Sequence, residues 1–285
     1  MEKKILRFSF IVSVVLYLFS LCTVVQGKQM PLSATIEESR PGRQHAQADI
    51  AQKTDVETAA QPQAAEQNAK DGMVFVPGGE FTMGCNETPE GECEEDEKPQ
   101  RQVNVPAFQI DKTEVTVEAY RQCVDARRCT LPDTKMKGAC NWDVSGREKH
   151  PINCIDWSQA EAFCASVGKR LPTSAEWEKA ARGTDGRVYP SGETWDITRA
   201  NVYESYDGYK ETAPVGSFPA GASPYGALDM AGNVWEWTSD WYRNGETRLI
   251  RGGSWVDLPR RARTTRRLGT LPTSRNDDIG FRCAQ

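Results

Sequence analysis

The sequence predicts an α+β domain with few helices, short strands and long irregular loops. Three observations carry that prediction. Two strong helix starts lie close together, at Ser158-Gln-Ala-Glu161 and Thr173-Ser-Ala-Glu176. From Gly183 to Gln285 turn formers interrupt every short apolar run, and no stretch there is long enough for a further helix. Eight cysteines spread from Cys85 to Cys283 can hold such loops by disulfides.

The elements follow in order. Met73-Val-Phe-Val76 is an apolar run before Pro77-Gly-Gly79, which reads as a strand entering a turn, with Phe81-Thr-Met83 as the returning strand. The insert from Cys85 to Lys98 carries Glu87, Glu90, Glu92, Glu94, Glu95, Asp96 and Glu97. It predicts a solvated acidic loop pinned by a disulfide, with attraction of a cation as the rival reading. Val103 to Ile110 is a further strand candidate. A helix starts after Thr116 and carries Ala119, Tyr120, Cys123 and Val124. In the two capping boxes the hydroxyl accepts from a backbone N–H three residues on and the glutamate reaches back. Ala160, Phe163, Cys164 and Val167 then form one apolar stripe closed by Gly168, and Trp177, Ala180 and Ala181 form another closed by Gly183. Trp235 and Trp237 alternate with Val234 and Glu236 as in a half-buried strand.

The first 27 of the 285 residues read as an export signal. Lys3, Lys4 and Arg7 precede an apolar stretch from Phe8 to Val25, and small residues place cleavage after Gly27. An uncleaved anchor and lipidation at Cys22 are the alternatives. Residues 28–70 contain no Phe, Trp or Tyr and are rich in Gln, Ala, Glu and Thr, a composition that predicts a disordered tether. The domain is expected over 71–285. Cleavage removes three basic residues and one acidic residue, taking the net charge from −5 to −7. That balance argues against nonspecific nucleic-acid binding. The mature chain keeps Cys85, Cys93, Cys123, Cys129, Cys140, Cys154, Cys164 and Cys283. An even number behind an export signal predicts disulfides in an oxidising periplasmic or extracellular compartment, and eight cysteines allow 105 pairings. Short spacing suggests Cys85–Cys93 and Cys123–Cys129, leaving Cys140–Cys154. No pair has the CxxC spacing of a zinc site. His150 is the single histidine outside the polar linker that holds His45, so a Ser-His-Asp triad and a multi-histidine metal site are disfavoured. It reads as a solvated or hydrogen-bonded loop histidine.

Four ordered motifs carry a resemblance: Lys169-Arg-Leu-Pro-Thr-Ser-Ala-Glu-Trp177, Gly232-Asn-Val-Trp-Glu-Trp237, Arg251-Gly-Gly-Ser-Trp255 and Gly280-Phe-Arg-Cys283. Together they make the chain, from about Met73 to its end, resemble the formylglycine-generating enzyme (sulfatase-modifying factor) family. The resemblance implies a C-type-lectin-like topology with loops stabilised by disulfides and calcium, and a Cys164–Cys283 bond. It also implies two calcium sites. The first would use the side chains of Asn201 and Asp207 with the carbonyls of Val202 and Tyr209. The second would use the side chains of Asp229 and Glu236 with the carbonyls of Gly232 and Val234. Calcium takes six to eight oxygens along a bending loop, which such segments offer; plain turn chemistry is the rival. The family's aerobic enzymes hold copper(I) on two cysteines just after the Gly-Gly-Ser segment, and Asp257 and Ala262 stand at those places. No copper is expected, because copper(I) selects soft thiolates over a carboxylate and a methyl.

Two further groups have rival readings. Trp235, Trp237, Trp241, Tyr242 and Trp255 are either core or a stacking platform for a sugar or peptide. Arg260, Arg261, Arg263, Arg266 and Arg267 either pair with the domain's acids or form an anion pocket. The expectation is an exported, monomeric, noncatalytic binding or scaffold module. Ser254, Trp255, Arg260, Arg261 and Arg263 would meet a peptide, glycan or anionic ligand. The alternatives are a periplasmic maturation enzyme of the siderophore (pyoverdine) type, with different oxidative chemistry, or a sulfatase-maturation accessory protein.

Overall fold

The computed structural model describes residues 72–86, 93–133, 138–203 and 208–285. The expected signal and tether, and Glu87, Glu90, Glu92 and Asp207, lie outside them. Two strand pairs open the domain. β1 (Met73–Val76) pairs antiparallel with β4 (Phe108–Asp111), and β2 (Gly79–Met83) pairs antiparallel with β3 (Arg101–Val105). The expected β1–β2 hairpin is therefore not formed. The run from Val103 to Ile110 is split at Pro106, which has no N–H to give a ladder. The opposite corner lies at Gly78, where a Cβ would come within 2.8 Å of the Ala107 nitrogen. The two corners pack backbone to backbone, and the pairing partner changes there.

Helix α1 (Val117–Asp125) starts as expected, with Thr116 Oγ1 accepting from the Ala119 N–H at 3.1 Å. Helix α3 (Ser174–Arg182) carries the expected Thr173/Glu176 capping box. Helix α2 (Trp157–Ser166) starts earlier than read from sequence. Its cap is Asp156 with Gln159, and Ser158 donates to the Asp156 carboxylate instead of capping. A carboxylate suits the positive end of a helix, and Asp156 also pairs with Arg275. Ala160, Phe163 and Cys164 are buried, but Val167, past the last turn, is exposed.

The last sheet has the order β7 (Arg267–Thr270), β6 (Thr247–Arg251), β5 (Trp235–Tyr242), β8 (Ile279–Gly280), with β8 parallel to β5. The start of β5 is not half-buried: Val234, Trp235, Glu236 and Trp237 are all sealed from solvent. One face of the strand joins the cluster of Tyr120, Phe163 and Phe281. On the other, Glu236 meets Trp177 of α3. No helix among the described residues is long and apolar enough to cross a membrane.

Four disulfides join Cys85 to Cys93, Cys123 to Cys129, Cys140 to Cys154 and Cys164 to Cys283, the pairs expected. The last closes a separation of 119 residues and ties α2 to the chain end. In the chain-entropy view a loop of that size stabilises by about 4–5 kcal/mol. Replacing both Cys164 and Cys283 by serine is expected to lower the urea midpoint and melting temperature far more than the same change at Cys123 and Cys129. Equal losses in the two double variants would contradict this.

Candidate functional site

The site region is built where two loops meet. Asn201 forms an isolated parallel bridge with Gly232, and the Asn233 N–H donates to the Asn201 carbonyl at 2.7 Å. Gly232 has φ of +77°, and a Cβ there would lie 2.1 Å from the Asn201 oxygen, so only glycine fits. The two segments expected to hold calcium are thereby fused into one unit. Asn201 is buried, and its side-chain amide donates to the Glu211 carbonyl and to Asn233 Oδ1. Val202 is buried beside it, while Tyr209 is partly exposed with its ring edge-on to Phe218. The first expected site is thus described except at Asp207.

The second expected site is acidic and dry. Asp229 accepts from the Gly216 N–H, and Glu236 is bound at both oxygens by Arg282. Glu114, which sequence reasoning missed, lies against them. Its Oε1 accepts from Asn233 Nδ2 at 2.8 Å, and its Oε2 is buried without a hydrogen bond. Burial, and then the Asp229 charge, hold the Glu114 carboxyl well above the ordinary range; burial also raises Asp229. Three buried carboxyls therefore face one guanidinium, and the cluster lacks positive charge. A hard cation with oxygen ligands fits that deficit. Asn233 was also missed, although Gly-Asn is a dipeptide prone to left-handed backbone, and Asn233 has φ of +61°.

Asp257 and Ala262, the two residues expected to stand where the family's aerobic enzymes carry cysteines, lie next door. Asp257 Oδ2 accepts from Trp235 Nε1 and from Ser254 Oγ, each at 2.7 Å, and Oδ1 pairs with Arg261 at 3.2 Å. Ala262 is fully buried and packs with Ala200, Val202 and Ala231. Beside Asp257 a cleft of about 170 Å³ is lined by the Cys140–Cys154 bond, Val256, Asp277 and Asp278. Burial, then repulsion from Asp257 and Asp277, push the Asp278 carboxyl up to about 6. Tyr203, Val256 and Leu258 are exposed along the same segments.

The expected ligand set is only partly accessible. Arg260 and Arg261 are exposed and Trp255 is half-buried, but Ser254 is fully buried. Arg263 is buried as well and pairs with Glu97 at 2.7 Å. Glu97 also accepts from Thr265, while Arg266 reaches Asp96 and Glu97. The acidic insert is therefore not a wholly solvated loop, because its last two acids are the counter-charges of Arg263 and Arg266. Those arginines are spent inside the protein and offer no anion pocket. Trp235 and Trp237 are core, whereas Trp241 is half exposed.

His150 is nearly buried, and its Nδ1 meets Thr212 Oγ1 at 2.9 Å. Thr212 in turn contacts Asn141, which fixes the loop running back to Glu211 and Asn201.

Residues 58–285 match a family profile described as the sulfatase-modifying factor enzyme 1-like domain. The chain is 35% identical over 266 residues to the inactive C-alpha-formylglycine-generating enzyme 2 of Bos taurus, covering 74% of this chain and 87% of that one. It is 33% identical over 296 residues to the formylglycine-generating enzyme of Streptomyces coelicolor, covering 79% and 93%. Among solved structures it resembles PvdO from Pseudomonas aeruginosa, with a TM-score of 0.65 and 30% identity over 74% of this chain and 93% of that one.

Burial, and then the Arg147 charge, hold the His150 imidazole below its usual range. The unfolded chain therefore takes a proton more readily than the folded one. Stability is constant above the unfolded value of about 6.5 and falls as pH drops through it. The urea midpoint is expected to fall between pH 7.5 and pH 5.5, and His150→Gln to shrink that drop. An identical drop in the variant would exclude His150 as its source.

Proposed function

The chain belongs to the sulfatase-modifying factor family, and from that premise we propose that it is a noncatalytic binding module that takes up a peptide without oxidising it. The state of Asp257 and Ala262 carries this reading. One offers a hard carboxylate already held by Trp235, Ser254 and Arg261, and the other a buried methyl. Neither can ligate copper(I), which prefers thiolate sulfur. The eight described cysteines are all bonded to one another. The similarity to a relative named as inactive supports the same reading. The exposed strip of Tyr203, Val256 and Leu258 beside Asp257, with half-buried Trp255, suits an extended peptide better than an anion. A second reading, an oxidative maturation enzyme of the pyoverdine type, is favoured only by the likeness to PvdO. Four disulfides are compatible with export to an oxidising compartment.

We further propose that both loop sites bind calcium structurally. Glu114, Asp229 and Glu236, with the carbonyls of Gly232 and Val234, would serve the second site; Asn201, Val202, Tyr209 and Asp207 would serve the first. Calcium would neutralise the carboxyl excess around Arg282 and stiffen the fused loops. It takes no part in chemistry.

Two measurements check these readings. A cysteine-containing sulfatase peptide, incubated with the protein, copper and oxygen, is expected to bind and to keep its cysteine by mass spectrometry. Formylglycine in the product would overturn the noncatalytic reading, and no binding at millimolar peptide would overturn the peptide reading. Calcium is expected to raise the melting temperature over chelator, and Asp229→Ala to remove most of that rise. A melting temperature indifferent to calcium would dismiss both metal sites.

A further inference from the structure

We propose that residues 58–71, the segment that leads into β1, dock in the open cavity along the outer face of α2. The cavity encloses about 560 Å³ between α2 and the segment leading into α3. Ser158, Glu161, Ala162 and Ala165 of α2 form one wall, and Lys169 lies just beyond them. This surface is separate from both calcium loops and from the cleft at Asp257, and it owes nothing to the peptide reading.

The outer face of α2 is unusual for a helix in water. The helix turns Phe163 and Cys164 inward, and the opposite face of such a helix normally carries charged or polar side chains. Instead Ser158, Ala162 and Ala165 stand exposed at the spacing of one helix face, and Glu161 is the single charged residue of the helix. The other polar groups at the cavity already have partners. Ser158 Oγ donates to Asp156 at 2.7 Å, and Thr173 Oγ1 accepts from the Glu176 N–H. Arg170 holds both Glu176 oxygens, and Lys169 pairs with Asp111 at 2.6 Å. Glu161 has no hydrogen bond or ion pair among the described residues. The cavity therefore offers small apolar side chains and one unmatched carboxylate.

The place where the chain enters β1 points to the occupant. The Gly72 carbonyl accepts from the Lys112 N–H at 2.9 Å, and Met73 lies opposite Asp111. Asp111 in turn holds Lys169, which lines the cavity. The segment before Gly72 therefore starts within a short reach of the cavity. At about 3.3 Å per residue it spans up to about 45 Å, against about 15 Å for the length of α2. The family profile begins at residue 58, which sets this stretch with the domain. Its composition matches the wall. Ala59, Ala60, Ala64, Ala65 and Ala69 are small enough for close approach to an alanine face, and the residues between them are mostly amides. Lys70, two residues before Gly72, supplies the charge that Glu161 lacks. On this reading the tether expected from composition ends near residue 57.

Hydrogen exchange on the full chain tests this docking. The amides of residues 58–71 are expected to exchange about tenfold or more slowly than in a synthetic peptide of the same sequence. Ala162→Arg combined with Ala165→Arg, two changes at exposed positions, is expected to return them to the rate of the peptide. Glu161→Lys is expected to reduce the slowing without abolishing it. Unchanged exchange in β1 and β4 reports that each variant is folded, and if the double variant does not fold, the comparison of parent with peptide and with Glu161→Lys still decides. Exchange at the peptide rate in the parent overturns the proposal, as does equal slowing in the parent and the folded variants. Sedimentation is expected to show a monomer; a dimer whose slowing grows with protein concentration would make a second copy the occupant and also overturn it. None of these results bears on the peptide assay, which reads the cleft at Asp257.

Discussion

The fold turns on one buried ion pair. Arg282 and Glu236 are both sealed from solvent, and the guanidinium grips the carboxylate at 2.6 and 2.7 Å. Arg282 also donates to the carbonyls of Asp111, Lys112 and Leu228, so one side chain gathers β4, the loop before β5, and β8. Trp177 Nε1 completes the set from α3. A buried pair is a poor source of net stability, but losing one partner strands a charge, at a cost of about 3–5 kcal/mol. Its value lies in geometry: it works beside backbone bonds that join the same segments, from Asp111 N–H to the Cys283 carbonyl and from Leu228 N–H to the Lys112 carbonyl.

That pair also sets the electrostatics around it. Arg282 can balance one carboxylate, and Glu236 takes it. Glu114 and Asp229 then lack a counter-charge in the same dry volume. They can keep protons or accept a cation. The loops that would supply further oxygens are fixed by the close approach of Gly232 to Asn201 and by the hydrogen bonds of Asn233. Arg263, Arg266, Asp96 and Glu97 show the opposite outcome, in which buried cations recruit acids from a distant insert and become inert.

Local signals were legible in the sequence and long-range ones were not. Thr116, the Thr173/Glu176 box and Gly183 work over four or five residues and were read correctly. The α2 cap was misplaced because Ser158 and Asp156 are both good caps two residues apart, and the choice rests partly on Arg275, over a hundred residues away. The β1–β4 pairing was hidden because Phe81 follows a turn signal that suits a hairpin equally well. Glu114 carried no local mark at all. It lies in an unremarkable Thr-Glu-Val segment, and only the fold brings it to Asn233 and Asp229. Arg263 looked like a surface cation because sequence shows charge and not burial.

The region around Asp257 shows how two neighbouring positions are held in the core by different means. Asp257 receives the Trp235 N–H and the Ser254 hydroxyl, two buried donors that would otherwise lack an acceptor there. An unpaired buried donor costs about 1–3 kcal/mol. The carboxylate is therefore held by what its removal would leave behind. Ala262 fills space among small side chains, where a larger group would press on Ala200 and Val202. The two positions are constrained for different reasons, one by hydrogen bonding and one by volume. On the proposed peptide reading, Asp257 and Ser254 are already committed, and the exposed strip of Tyr203, Val256 and Leu258 with the exposed Arg260 and Arg261 is what remains to select a ligand.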